Sequence, residues 1–137
     1  MPFTGNFTCD SFKSGLPEGR FDFKIPTTDT FYIALYTNAA ALDQTTTAYT
    51  TVGEVVAAGY TAGGIVLSPI VGTSSAYITF SNVSWSGSFT ARGALIYKAG
   101  DGGAVCVLDF GADKTSTGTF AVQFPIATAD QALIRLT

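Results

Sequence analysis

The stretch from Thr79 to Phe110 constrains the fold of this chain more than any other. It reads as three consecutive strands joined by tight turns, with the chain's single tryptophan, Trp85, near its head. Its last part places Ala104, Cys106, Leu108 and Phe110 on one face and Val105 and Val107 on the other. A strand that is apolar in both directions must be covered on both sides, so it belongs at the centre of a sheet. The turn Ala99–Gly103 contains Asp101-Gly102 between apolar runs, a strong hairpin signal.

The remaining segments follow the same rule. Phe31–Thr37 is apolar in both directions and predicts a second central strand. Arg20–Ile25 alternates, with Phe21, Phe23 and Ile25 inward and Asp22 and Lys24 outward, and Pro26 ends it. Strands are also predicted over Gly63–Ile70, Ala76–Phe80 (Ile78 and Phe80 inward), Phe89–Lys98, Thr119–Phe124 (Phe120, Val122 and Phe124 inward) and Ala132–Leu136, with a turn over Ala112–Gly118. About eight short strands separated by turn residues predict an all-β, single-domain antiparallel β-sandwich of jelly-roll or Ig-like type over residues 1–137. At most one or two short helical turns are expected. One lies over Thr8–Gly15, capped by Thr8 or Asp10, within an N-terminal arm of residues 1–20; the other follows the capping-box spacing of Thr51-Val52-Gly53-Glu54 into Val55–Ala58.

Charge limits the function. Apolar residues make up 47% of the chain and charged ones 12%, about half the usual charged share, so the surface is built from Thr, Ser, Gly, Ala and aromatic groups. Such a surface suits contact with other proteins. Seven Lys and Arg are scattered singly, and no basic patch predicts nucleic-acid binding. No apolar run is long enough to cross a bilayer, and the start MPFTGNFTCD has no signal-peptide pattern, so the Asn6 and Asn82 glycosylation triplets carry no weight. Cys9 and Cys106 are expected to be free thiols.

No catalytic constellation stands out, and no enzyme activity or cofactor is predicted. Histidine is absent, which removes the commonest general base and transition-metal ligand. Asp109-Phe110-Gly111 spells a kinase triplet without any of its companion motifs. Asp101, Asp109, Asp113 and Asp130 lack calcium-loop spacing, so no metal site is expected. Trp85 reads either as core or interface, or as a platform for stacking a sugar. Arg92 reads either as a buried partner of Asp109 or as an interface anchor. The long Thr-rich stretch Asn38–Thr51 has no strand period and is the first candidate for partner contacts. The interface candidates are thus Asn38, Asp43 and Tyr49 from this stretch, with Trp85 and Arg92.

Several blocks, in order, also carry a family resemblance. They are Asp29-Thr30-Phe31 with Ala34-Leu35-Tyr36-Thr37, Thr47-Ala48-Tyr49-Thr50-Thr51 with Gly53-Glu54, and Gly59-Tyr60-Thr61-Ala62-Gly63-Gly64. Ala91-Arg92-Gly93-Ala94-Leu95-Ile96-Tyr97, Val107-Leu108-Asp109-Phe110-Gly111 and Asp113-Lys114-Thr115-Ser116 extend the series. Together they resemble a family of small tailed-bacteriophage virion structural proteins, from about Phe21 to Leu136, with a departure at Leu16–Arg20 where relatives carry a more helical segment. The resemblance implies a capsid decoration or cement protein, assembled in the host cytoplasm and placed on the capsid surface of the virion. Its partners would be the major capsid protein and further copies of itself, as a dimer or trimer. A tail, neck or fibre component, or a glycan-binding host-adhesion module, are the alternatives.

Overall fold

The computed structural model describes residues 7–15, 17–18, 30–71, 77–100, 103–124 and 134–135. In chain order these form β1 (Phe7–Thr8), α1 (Asp10–Gly15), β2 (Phe31–Tyr36), β3 (Ile65–Leu67), β4 (Pro69–Val71), β5 (Tyr77–Phe80), β6 (Val83–Gly87), β7 (Thr90–Lys98), β8 (Ala104–Thr115), β9 (Gly118–Val122) and β10 (Ile134–Arg135). Of these ten strands, eight have three residues or more. The predicted strand Arg20–Ile25 lies outside the described residues.

The architecture is an all-β antiparallel sandwich. A five-stranded sheet runs β1-β8-β7-β2-β3, a three-stranded sheet β10-β5-β4, and a two-stranded ladder β6-β9. The two segments that read as apolar on both faces lie inside the large sheet, separated only by β7. In β2 every residue except half-buried Tyr32 is buried, and in β7 Ala91–Tyr97 are buried in succession. Aromatic rings join the smaller sheets to the large one. Phe31 of β2 meets Phe80 of β5 at 6.4 Å between ring centres, and Phe80 meets Phe124 at 5.6 Å. Around the β6-β9 ladder, Trp85 and Phe120 are 6.3 Å apart and Phe89 stacks on Phe120 at 5.2 Å. Burying such rings supplies most of the driving force of a core this size.

Three segments depart from expectation for identifiable reasons. Gly63–Ile70 is not one strand but two, because the chain leaves β2's edge after Leu67 and reaches β5 at Pro69. Pro69 has no N–H to continue the first ladder. The turn expected over Ala112–Gly118 starts later, since β8 continues to Thr115 and pairs again with Thr90 and Ala91 of β7. Between the two stretches of that ladder, Phe110–Asp113 bulge out opposite Arg92 alone. Finally, α1 is present, but neither Thr8 nor Asp10 caps it. The carbonyl of Cys9 accepts the N–H groups of Phe12 and Lys13 at 3.0 and 3.1 Å, and Cys9 itself is tied to Val105 of β8. Buried Phe12 and the Ser11 hydroxyl, which donates to the Ala104 carbonyl, seat the helix on β8.

Candidate functional site

β3 pairs with β2 only from Phe31 to Ile33, which leaves the far half of β2's edge to be satisfied by something else. The loop between β2 and β3 does this. Val55 N–H donates to the Leu35 carbonyl at 3.0 Å, Thr37 N–H donates to the Gly53 carbonyl at 2.8 Å, and Glu54 bridges Tyr36. Buried backbone groups demand partners, and here that demand recruits Gly53–Val55 as a substitute edge strand. The helical turn expected over Val55–Ala58 is therefore absent, and Glu54 is no capping-box acid. Gly53 has φ +80, and a Cβ there would stand 2.6 Å from Ala40, so the sharp entry to this segment requires glycine.

Glu54 is only 6% exposed and sits at the hub of a tyrosine cluster. Tyr49 donates its hydroxyl to Oε1 at 2.7 Å, while Tyr60 and the Gly63 N–H donate to Oε2 at 2.6 and 2.8 Å. The Tyr60 hydroxyl also accepts the Leu35 N–H at 2.9 Å. Tyr97 of β7 donates to the Gly63 carbonyl at 2.6 Å and stacks on Tyr49 at 4.6 Å, and Tyr36 donates to the Thr50 carbonyl at 2.6 Å. Burial raises the phenols of Tyr36, Tyr49, Tyr60 and Tyr97 above their ordinary value, with the Glu54 carboxylate adding to the effect. They stay protonated donors across the physiological range, so the carboxylate is held by neutral hydrogen bonds rather than by a cation.

This clamp fixes a loop that exposes two valines beside polar residues such as Asp43 and Thr51. Val52 is 71% and Val56 96% exposed. Val66 on β3 and Ile70 on β4 are the further large exposed aliphatics among the described residues. The arrangement offers a backbone-anchored loop on which two aliphatic side chains stand exposed.

The residues singled out from the sequence divide sharply. Asn38 and Asp43 are exposed in the early part of the same loop. Asp43 accepts the N–H and hydroxyl of Thr45, which hold its carboxyl below the usual carboxylate range. Tyr49 is half-buried and serves the clamp. Trp85 and Arg92 are not surface anchors: Trp85 is 6% exposed beside Tyr60 and Phe120, and the Arg92 guanidinium is buried against the Asp109 carboxylate. Asp109 also accepts the Gly111 N–H at 2.8 Å, which leaves that triplet a structural role at the bulge. The sequence reading missed Glu54, Tyr60, Val52 and Val56. A carboxylate embedded in Val-Gly-Glu-Val-Val, with tyrosines on either side, was the available signal.

Among the described residues no group of three or more His, Cys, Asp or Glu is placed to hold a metal, and no helix is long and apolar enough to cross a membrane. Comparisons with family models, curated proteins and solved structures give no match.

Proposed function

We propose that this protein is a virion structural protein, a capsid decoration (cement) protein that binds and stabilises the shell formed by the major capsid protein. The observation that carries this reading is the pair of exposed aliphatics, Val52 and Val56, on a loop built into the sheet by Glu54. An apolar side chain presented on pre-ordered backbone binds without paying the ordering entropy that a free loop would. The scarcity of charge, at 12% of residues, favours close packing among copies on a crowded lattice. The ordered series of sequence blocks shared in character with phage virion proteins supports the same assignment. In this reading the protein sits on the capsid surface, contacting the shell through the loop and neighbouring copies through other faces.

The test is reconstitution. Wild-type protein mixed with capsids that lack it should bind stoichiometrically and raise the temperature at which the particles open. Val56→Asp and Val52→Asp should keep the protein's own melting temperature and weaken binding at least about tenfold, the loss expected when an apolar contact is replaced by a desolvated charge. Absence of stoichiometric binding by the wild type, or a label found by electron microscopy at the tail, would overturn the shell assignment.

A further inference from the structure

β8 and β9 follow each other with only Ser116 and Thr117 between them, yet they do not pair with each other among the described residues. β8 pairs with β7 and β9 with β6. The corner is nailed down by Ser116, whose N–H donates to the Phe89 carbonyl at 2.9 Å and whose hydroxyl donates to the Gly87 carbonyl at 2.7 Å. The two ladders diverge from that point and leave a cleft of about 440 Å³.

The lining of the cleft is specific in character. Phe110 and Phe120 stand 6.0 Å apart at its apolar floor, with Val122 beside them. Lys114, Thr119 and Gln123 supply an ammonium, a hydroxyl and an amide at its walls, and among the described residues no carboxylate lines it. Phe110 reaches this position because it belongs to the bulge opposite Arg92, and the Arg92–Asp109 pair with the Asp109–Gly111 hydrogen bond holds that bulge from behind. A volume of this size lies in the range that takes a small ligand, and aromatic rings with a few fixed polar groups are its usual lining. The chemistry selects further. A lipid would leave the polar walls unmet, and a nucleotide phosphate would meet one lysine and no helix N-terminus or glycine nest. A sugar ring has an apolar face for the aromatic floor and hydroxyls for Thr119 and Gln123.

We propose that this cleft binds a saccharide unit carrying a carboxylate, its ring face against Phe110 and its acid group paired with Lys114. The inference is independent of the capsid reading, since it concerns the opposite role of an accessible cleft in the isolated chain.

The experiment is an amide-resolved NMR titration of the isotope-labelled protein with glucuronic acid and, separately, with glucose. Glucuronic acid should give saturable shifts centred on Phe110, Lys114, Thr119 and Gln123, with a Kd on the order of 1 mM, as befits a single sugar. Lys114→Gln, at an exposed position, should bring the affinity for glucuronic acid down to that for glucose, a change of about five- to tenfold for one exposed charge-assisted hydrogen bond. Phe110→Ala should abolish saturation with either sugar while the amide spectrum elsewhere stays folded. Absence of saturable shifts with both sugars, or shifts unchanged in both variants, would overturn the site; equal affinity of the wild type for glucose and glucuronic acid would overturn the carboxylate preference. Because no capsid is present, failure here leaves the reconstitution result unaffected.

Discussion

Tyr60 and Glu54 are joined by a 2.6 Å hydrogen bond, and the same Tyr60 hydroxyl accepts the backbone N–H of Leu35 in mid-strand. One phenol therefore satisfies a buried acid and a buried backbone donor together. Tyr60→Phe should cost about 2–4 kcal/mol: it takes the acceptor from the buried Leu35 N–H, at about 1–3, and one of the three donors from the Glu54 carboxylate, at about 1. Glu54→Ala, which strands two hydroxyls and an N–H, should cost a similar amount; Glu54→Gln, which keeps one acceptor oxygen, should cost less. Urea unfolding with unchanged m-values checks this. Losses below about 0.5 kcal/mol for both Tyr60→Phe and Glu54→Ala would mean the clamp is not what holds the loop.

The ion pair of Arg92 with Asp109 is enclosed on both sides, with side-chain exposures of 5% and 12%. Removing the guanidinium leaves the enclosed Asp109 carboxylate without its counter-charge, so Arg92→Met should destabilise by about 3–5 kcal/mol. Adding Asp109→Asn should recover part of that loss, because the amide oxygen still accepts from Gly111 and no charge is left buried. A double-mutant cycle measures the recovery; strictly additive losses would show that the two side chains are not coupled.

Alkali should unfold the protein in a defined window. Tyr97 is pushed up to about 12 from 10.0, and Cys9 up to about 12 from 9.0, both mainly by burial. The protonated forms are thus favoured by folding, so the stability they confer is complete below their unfolded values and is lost as pH rises through the folded ones. Stability should hold to pH 9.0 and fall between there and about 12. Tyrosinate absorbance should appear together with the loss of far-ultraviolet circular dichroism. Phenols that all titrate near 10 with the fold intact would contradict the cluster's burial.

Trp85 offers an independent readout of the core. Enclosed by Tyr60 and Phe120, it should emit at short wavelength, resist acrylamide quenching, and shift to the red only on unfolding. Trp85→Ala should cost about 3–5 kcal/mol through the cavity it leaves. The buried free thiols Cys9 and Cys106 should react with a thiol reagent only once the chain is denatured.

Local pattern accounts for much of this architecture. Phe31–Tyr36 and Ala104–Val107 read as doubly covered strands because side-chain alternation reports burial directly. The inward set Phe120, Val122 and Phe124 was legible for the same reason. What could not be read locally were consequences of distant backbone needs. Gly53–Val55 abandons a helical turn because β2 has no β3 partner beyond Ile33 on that edge, and no window of residues around Glu54 contains that fact. The extension of β8 past the bulge likewise depends on Thr90 and Ala91. Trp85 and Arg92 were ambiguous because the same residue types serve cores and interfaces, and only enclosure by partners from other strands decides between them.

The loop's union with β2 has a mechanical consequence. Tension applied at Val56 passes through the Val55–Leu35 and Thr37–Gly53 backbone bonds into a strand flanked by β7, with β8 beyond it. No slack length of chain lies in that path to stretch. A wall strained by outward pressure would find in such an anchor a stiff strut instead of an elastic tether.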